Sequence, residues 1–409
     1  MTTGNATMLD FDTAQQRLLD LPIADIPVDT ISLQQAQGYV LAQDVVATLD
    51  MPSADNSSMD GYALRLQDYV PGTSLPVQQR VFAGQAPQPQ EAGKISRIFT
   101  GSLIPEGADT VVIQEVCSEE DGQVTITQAP VKNQNIRHQG EDTRAGSVLL
   151  EQGTVLGAAE IGLIATQGIA TLTVYRRLKV GILTTGDELV PVGQPRQPSQ
   201  IFNSNAPMLT ALFHTLGAQV EHVLHAMDDM VATREALNTL FADCDLVISV
   251  GGVSVGEKDL VKPALEALGA SLDFWKVRMK PGKPVALSSV NNIPVICLPG
   301  NPVSAYTVLA VLVSPLIRKL QGRKQCLPTR IQATLKTDKV FNETRDEFLR
   351  VRITQDEQTG LLMAEPYERQ GSGMSSSLPW ANAFARVPAV QKYTGGDRVW
   401  VYPKEDWIR

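Results

Sequence analysis

The sequence has few cysteines, few histidines and no excess of positive charge, and each shortage removes a class of function. Its four cysteines, Cys117, Cys244, Cys297 and Cys326, form no CxxC pair, which argues against a structural zinc site or a disulfide framework. Cys244 and Cys297 stand in apolar runs and read as small buried hydrophobes. His222 and His225 flank an apolar strand with no cysteine near them, and His214 sits on a helix, so a zinc triad is not expected. Lysine and arginine total 35 against 44 acidic residues, giving a net charge of −9. That balance speaks against a general nucleic-acid or membrane-surface binder. It still leaves room for a few placed lysines around a small anion. No apolar run reaches about 18 residues, so no membrane span is expected. The polar N-terminus, with Asp10 and Asp12, fits no signal peptide, and the cytoplasm is the expected address. The dinucleotide pattern GxGxxG, the P-loop GxxxxGK[ST] and the GxSxG elbow are all absent, which weakens three common enzyme readings.

What is present is organised in segments. A chain of 409 residues has room for about three domains. Residues 8–20 and 32–42 predict helices. From there to about 150, short β-like runs separated by Gly and Pro predict strands at 110–116, 123–127 and 147–150. Residues 155–169 return to a helical pattern. Over 178–322, apolar runs at 178–183, 220–225, 245–250 and 294–298 alternate with helical patterns at 206–216, 233–241, 263–268 and 302–320. That alternation implies βαβ units and a mainly parallel sheet covered on both faces. The tail from 327 alternates again. The expected fold is therefore multidomain α/β. A discontinuous helical or mixed domain covers 1–48 and 146–177, and a mostly β domain is inserted at 49–145. A central α/β/α domain spans 178–326, and a C-terminal β domain spans 327–409.

The chemistry concentrates where strands of the central domain end. Thr184–Glu188, Met227–Asp229, Gly251–Asp259, Lys280–Pro284 and Leu298–Ser304 are all strand-end loops, and such loops in an α/β sheet converge on one crevice. Gly251, Gly252 and Gly256, with Ser254 among them, let backbone approach a ligand, and consecutive N–H groups there would make an anion nest. The bland alternative is a tight turn. Pro263 disfavours a helical Lys262, leaving Asp259 in the loop for a metal or a hydroxyl. Asn301 reads as an N-cap with Pro302 at the first helical position, and Pro299 and Gly300 shape the turn before it. A helix start of this kind attracts anions. Lys276, Lys280 and Lys283 lie on a Trp-containing strand and a Pro-Gly turn, and suit oxyanion coordination. Asp187, Glu188, Asp228, Asp229 and Asp259 are hard oxygen ligands suited to Mg²⁺ shared with a phosphate; each alone reads first as a cap or a surface charge, and it is their common place at strand ends that favours the metal.

With these motifs in view, the chain resembles the molybdopterin molybdenumtransferases, the MoeA family and the gephyrin E-domain, over essentially its whole length. The resemblance rests on Asn56–Ala63, on Arg97–Gly101 followed by Pro105–Asp109, on Arg137–Asp142, and on the strand-end loops above. Gln370-Gly371-Ser372 with Ser375-Ser376 completes it. After Lys283-Pro284 the family often has an aromatic and then glycine, where this chain has Leu287-Ser288. The resemblance implies that adenylylated molybdopterin and molybdate give molybdenum cofactor and AMP, assisted by Mg²⁺. It implies an elongated homodimer in which Asp60, Thr100 and Asp142 act in trans. The site they complete would be built from Glu188, Asp228, Asp259, Lys276, Lys280, Lys283, Pro299 and Pro302, with Mg²⁺ held by Asp187, Glu188, Asp228 and Asp259. Gly251, Gly252, Ser254, Gly256, Gly300, Asn301 and Ser304 would hold the pterin phosphates. Lys280, Lys283, Arg350 and Ser372 would hold molybdate. A molybdopterin adenylyltransferase and an apo-molybdoenzyme maturation system are the implied protein partners. Two rivals stay open: a molybdopterin adenylyltransferase, which resembles the α/β domain alone, and a non-catalytic scaffold of the same fold.

Overall fold

The computed structural model describes residues 8–252, 259–274 and 276–408. Its centre is a six-stranded sheet. Four strands run parallel, in the spatial order Gln219–Ala226, Lys179–Thr185, Leu246–Val250 and Ile293–Leu298; Ala286–Val290 and Ser271–Phe274 extend it antiparallel. The Leu246–Val250 strand is buried at every position, as expected for parallel strands covered on both faces. The hairpin between the last two long strands turns at Asn291 and Asn292, both with positive φ. Asparagine tolerates that conformation, and such a turn matches the twist of the flanking strands.

Helices Asn205–Thr215, Met230–Asp243 and Val261–Ala267 connect the strands. Lys262 is helical here, contrary to the sequence expectation. A proline in the first turn of a helix forfeits no intrahelical N–H bond, and burial of Val261, Ala264 and Leu265 outweighs the local bias before proline.

The Pro302–Leu320 helix is almost wholly buried in the core and contains a π-helical stretch at Leu309–Val313. By length and apolarity it could cross a membrane, a signal that the sequence reading did not register, but 89% of its 18-residue apolar window is packed inside the protein. Pro315 cannot donate to the carbonyl of Val311, and Gln15 Nε2 supplies that bond from another helix at 2.9 Å. Gln15 belongs to the first helix, Phe11–Asp20, capped by Asp10 through Thr13 N at 2.9 Å. That helix buries Phe11, Ala14 and Leu18 in the same core as the Pro302–Leu320 helix.

The expected helix at 32–42 does not form. Only a 3-10 turn, Leu33–Gln35, appears, and Gly38 at φ +76° redirects the chain into bridges at Val40 and Leu41. Ala36, Leu41 and Val45 pack with Leu156, Ile164, Leu172 and Val174. Residues on both sides of the β-rich segment therefore share one small core, to which the helix Ala158–Thr166 contributes. Between them, a six-stranded sheet has Gly61–Leu64 between Thr110–Ile113 and Ile95–Ile98. The C-terminal strands Asp346–Gln355, Leu362–Pro366, Ile331–Leu335, Arg398–Pro403 and Ala383–Val387 pair in a closed ring. Met279–Lys280 adds to this barrel, parallel to Asp346–Glu347. That pairing ties the lysine turn of the central domain to the C-terminal one.

Candidate active site

The parallel strands all end at one edge, and three loops meet there. Gly251, at φ +92°, lies so close to the Lys179–Thr185 strand that a Cβ would sit 3.0 Å from the Thr185 carbonyl oxygen. A Cβ on Gly252, at φ +63°, would meet Val261 Cγ2 at 2.8 Å. Only glycine fits both the backbone conformation and the space. Gly251 N–H donates to the Leu298 carbonyl at 3.3 Å. The expected anion nest therefore begins no earlier than Gly252, because the first N–H completes the sheet ladder. Ser254 and Gly256 lie outside the described residues. Gly300 faces Gly251 across the crevice, and its carbonyl accepts from Asn205 Nδ2 at 2.7 Å. Pro299 and Ser304 are buried beneath this turn.

The carboxylates arrive from neighbouring loops. Asp187 Oδ1 accepts from the Asp228 backbone N–H at 3.0 Å, so these two loops touch. Glu188 folds back over Gly186 and is exposed. Asp229 caps the Met230–Asp243 helix through the N–H groups of Val231 and Ala232, both at 2.9 Å. Asp259 stands just ahead of the Val261–Ala267 helix. Among the described residues, no three histidine, cysteine or acidic side chains form a ready metal cluster. A Mg²⁺ shared with phosphates needs only one or two protein carboxylates, and the adjoining Asp187 and Asp228 loops fit that requirement.

Asn301 begins the long helix with extended backbone angles and Pro302 behind it, but its side chain makes no capping bond. Instead Asn301 Nδ2 lies 3.3 Å from Ser372 Oγ on the C-terminal domain. Arg350 sits under the loop that carries Ser372 and is fully buried. Its Nε donates to Ser377 Oγ at 3.2 Å and its Nη2 to the Gly371 carbonyl at 3.1 Å. Its Nη1 is buried without a partner. Burial depresses the guanidinium to about 10 despite the opposing charge of Glu347. A buried donor without a partner is costly.

Lys280 is held by the same domain. Its Nζ meets Glu343 Oε1 at 2.7 Å and the buried Glu347 Oε1 at 3.1 Å. Desolvation opposes the lysine's charge, but the Glu343 hydrogen bond and the Glu347 charge outweigh it and hold the ammonium above the usual lysine range. Lys283 is exposed on the following turn. Lys276 does not lie on a strand: Ser271–Phe274 ends before it, and Trp275 is outside the described residues. Leu287 and Ser288 are buried within the Ala286–Val290 strand.

The remaining residues stand on the β-rich segment. Asp60 Oδ1 accepts from both N and Oγ1 of Thr100, each at 2.8 Å, and the backbone N–H bond leads the causes that lower its pKa. Asp142 is exposed, with its N–H donating to the Met51 carbonyl at 3.0 Å. None of the hydrogen bonds described for Asp60, Thr100 or Asp142 reaches the α/β loops.

Known proteins share this domain organisation. Residues 9–168 match the MoeA N-terminal region (domains I and II), residues 181–319 a probable molybdopterin-binding domain, and residues 332–404 the MoeA C-terminal region (domain IV). The molybdopterin molybdenumtransferase of Haemophilus influenzae is 43% identical over 320 residues, covering 78% of this chain and 79% of its own. The chain belongs to the MoeA family. Molybdopterin molybdenumtransferase 2 of Mycobacterium tuberculosis is 36% identical over 88% of this chain and 90% of its own. The crystal structure of the molybdopterin biosynthesis MoeA protein from Pyrococcus horikoshii OT3 superposes with a TM-score of 0.83 at 27% identity, covering 97% of this chain and all of that one. As a MoeA-family member the chain is a transferase of molybdenum-cofactor synthesis that acts in molybdenum insertion.

Within this MoeA fold, the structure brings together the Gly251, Gly300 and Asn301 turns, the Asp187 and Asp228 loops, and Asn301 with Ser372. It also shows residues that the sequence did not single out. Glu343 and Glu347 control Lys280 from more than 60 positions away, and no local pattern announces such a pair. Asn205, which anchors Gly300, sits at a helix start where polar residues are expected for capping alone.

Proposed function

We propose that this chain inserts molybdate into adenylylated molybdopterin and releases AMP, with Mg²⁺ present, at a cleft completed by a second copy of the chain. The observation that carries this reading is the unpartnered buried Nη1 of Arg350, under the loop where Ser372 meets Asn301. An unpaired guanidinium N–H there supports an oxyanion held beside the glycine-lined crevice. In this reading Gly251, Gly252, Ser254, Gly256, Pro299, Gly300, Asn301, Pro302, Ser304 and Lys276 hold the pterin and its phosphates. Lys280, Lys283, Arg350 and Ser372 hold molybdate beside the dithiolene sulfurs.

Asp187, Glu188, Asp228 and Asp259 are the residues that would hold Mg²⁺; the bound ion would offset charge on the phosphoryl oxygens. Lys280 and Lys283 orient the molybdate dianion, which displaces Glu343 from Lys280 on binding. Asp60, Thr100 and Asp142 close the site from the partner subunit and exclude water, with Thr100 fixing the Asp60 carboxylate. The phosphoanhydride between pterin phosphate and AMP is broken by attack of a molybdate oxygen on phosphorus. As the two dithiolene sulfurs replace two molybdate oxygens, one of those oxygens stays on the phosphate and the other leaves as water with the thiol protons. The substrate would come from a molybdopterin adenylyltransferase and the product would pass to apo-molybdoenzyme maturation. The four unpaired cysteines suit a reducing cytoplasm.

Subunit mixing tests the shared cleft. Asp60→Asn and Asp259→Asn variants should each be inactive alone. After denaturation and co-refolding of equal amounts, half of the dimers carry one intact site, so about a quarter of wild-type AMP release should return. No recovery, with mixed dimers demonstrated by mass, would rule out a site shared between subunits.

A further inference from the structure

The chain passes between the small mixed core and the β-rich segment twice, outward at 45–57 and back at 136–150. The two crossings pair antiparallel. Val45–Val46 meets Val148–Leu150 at one end, and Asn56–Ser57 meets Ile136–Arg137 at the other. Between these ends the ladder is interrupted. Ala47 N–H donates to the Ser147 carbonyl and its carbonyl accepts from Gly146 N–H, each at 2.8 Å, and an isolated bridge joins Met51 to Thr143. The stretch 137–147 contains no large apolar side chain. Packing therefore cannot shape it, and hydrogen bonds must.

Asp50 supplies the cross-links that the ladder omits. Its Oδ1 accepts from the Ala145 N–H at 2.8 Å and its Oδ2 from Gln139 Nε2 at 2.8 Å. Gln139 precedes Asp142 and Ala145 follows it, so one carboxylate spans the loop with Asp142 midway along it. Gly140, at φ +70°, lies against that carboxylate: a Cβ there would be 3.5 Å from Asp50 Cγ. The Gln139 arm is itself anchored, since its backbone N–H donates to Asp55 Oδ1 at 2.8 Å. Asp142 N–H donates to the carbonyl of Met51, the residue after Asp50, at 3.0 Å, and Asp142 stays exposed.

We propose that Asp50 is a positioning residue of the reaction: by stapling Gln139 to Ala145 it fixes the loop that carries Asp142, and so the place of Asp142 in the partner's cleft. Asp50 acts only through that loop. A displacement of about 1 Å in such a group is enough to cost about 100-fold in rate. The inference rests on the reading that Asp142 acts in trans.

The test uses the full chain with Asp50→Ala, Asp50→Asn and Gln139→Ala. It measures steady-state AMP release, giving kcat and KM for molybdate, with thermal unfolding to confirm each fold. In Asp50→Ala kcat should fall about 10- to 100-fold, and in Gln139→Ala, which cuts one arm, it should fall less. KM for molybdate should not move, because Lys280, Lys283, Arg350 and Ser372 belong to the other subunit's half of the site. Asp50→Asn keeps the shape, and the Gln139 amide can turn over to accept from it, so kcat should stay within about fivefold of wild type. Co-refolding locates the defect: Asp50→Ala with Asp259→Asn should return about a quarter of wild-type AMP release, and with Asp60→Asn nothing above the two variants alone. Added to Asp142→Ala, Asp50→Ala should cost nothing more.

Wild-type kcat in Asp50→Ala overturns the inference and leaves the proposed function standing. Recovery with Asp60→Asn, or a loss that adds to that of Asp142→Ala, overturns it too, since Asp50 would then act elsewhere. A loss in Asp50→Asn equal to that in Asp50→Ala would assign the effect to the charge and not to the staple. If Asp50→Ala does not fold, Gln139→Ala carries the same comparisons. No recovery between Asp60→Asn and Asp259→Asn, with mixed dimers demonstrated by mass, removes the shared cleft and this inference together.

Discussion

Lys280 Nζ lies 2.7 Å from Glu343 Oε1, and the lysine is thereby committed to a carboxylate of the C-terminal domain before any oxyanion arrives. Molybdate must compete with that carboxylate. Glu343→Gln keeps the shape and removes the charge. A half-exposed pair is worth less than about 1 kcal/mol, so KM for molybdate should fall about two- to fivefold while stability changes little. Steady-state kinetics with molybdate varied check this; an unchanged or raised KM would place the anion away from Lys280.

Arg350 has a different profile. Removing it leaves Ser377 Oγ and the Gly371 carbonyl without their donor and opens a cavity beneath the Ser372 loop. Arg350→Met should cost about 3 kcal/mol, seen as an earlier denaturant midpoint. Arg350→Lys should recover part of the stability, because a single ammonium cannot reproduce the planar fork. Molybdate binding should be lost in both, and phosphate-dependent AMP binding should survive in the lysine variant.

Gly282 sets the turn between Lys280 and Lys283. Its φ is +107°, and a Cβ would lie 2.3 Å from Val308 Cγ2 in the buried helix. Gly282→Ala should therefore destabilise by about 2–4 kcal/mol, combining a strained backbone with overpacking. A thermal midpoint equal to wild type would mean that the turn relaxes freely.

How much of this was legible in the sequence depends on how local each cause is. The βαβ alternation announced the central sheet because apolar runs such as Leu246–Val250 are buried on both faces. The Asp229 cap and the Asn301–Pro302 helix start were also local. The failed helix at 32–42 had a suitable pattern, but Gly38 and long-range contacts to Leu156 and Thr154 pulled the chain into bridges. Asn301 had the right residue type for a cap and was redirected by Ser372, 71 positions away. The same holds for Lys280: a lysine in a Pro-Gly turn looks like a free point charge until the barrel delivers Glu343 and Glu347.

Asp60 gives a pH-dependent check. The Thr100 backbone N–H, then its hydroxyl, hold the folded pKa below the usual aspartate value of 3.8. The depressed value means that the stabilisation is present at neutral pH, above the unfolded pKa, and is lost as pH falls through the folded one. Thr100→Ala removes the hydroxyl bond and should move the Asp60 titration upward, toward 3.8. Carboxyl-carbon NMR titration of the two proteins would show it; coincident curves would mean that the hydroxyl does not hold the carboxylate.

In the proposed reaction, adenylate cleavage is coupled to molybdenum insertion. The most direct measurement is AMP release by the purified protein from adenylylated molybdopterin and Mg²⁺, with and without molybdate. AMP should appear with molybdate in step with molybdenum bound to the pterin, and should stay at background without it. AMP formation independent of molybdate, or AMP made instead from ATP and free molybdopterin, would contradict the claim.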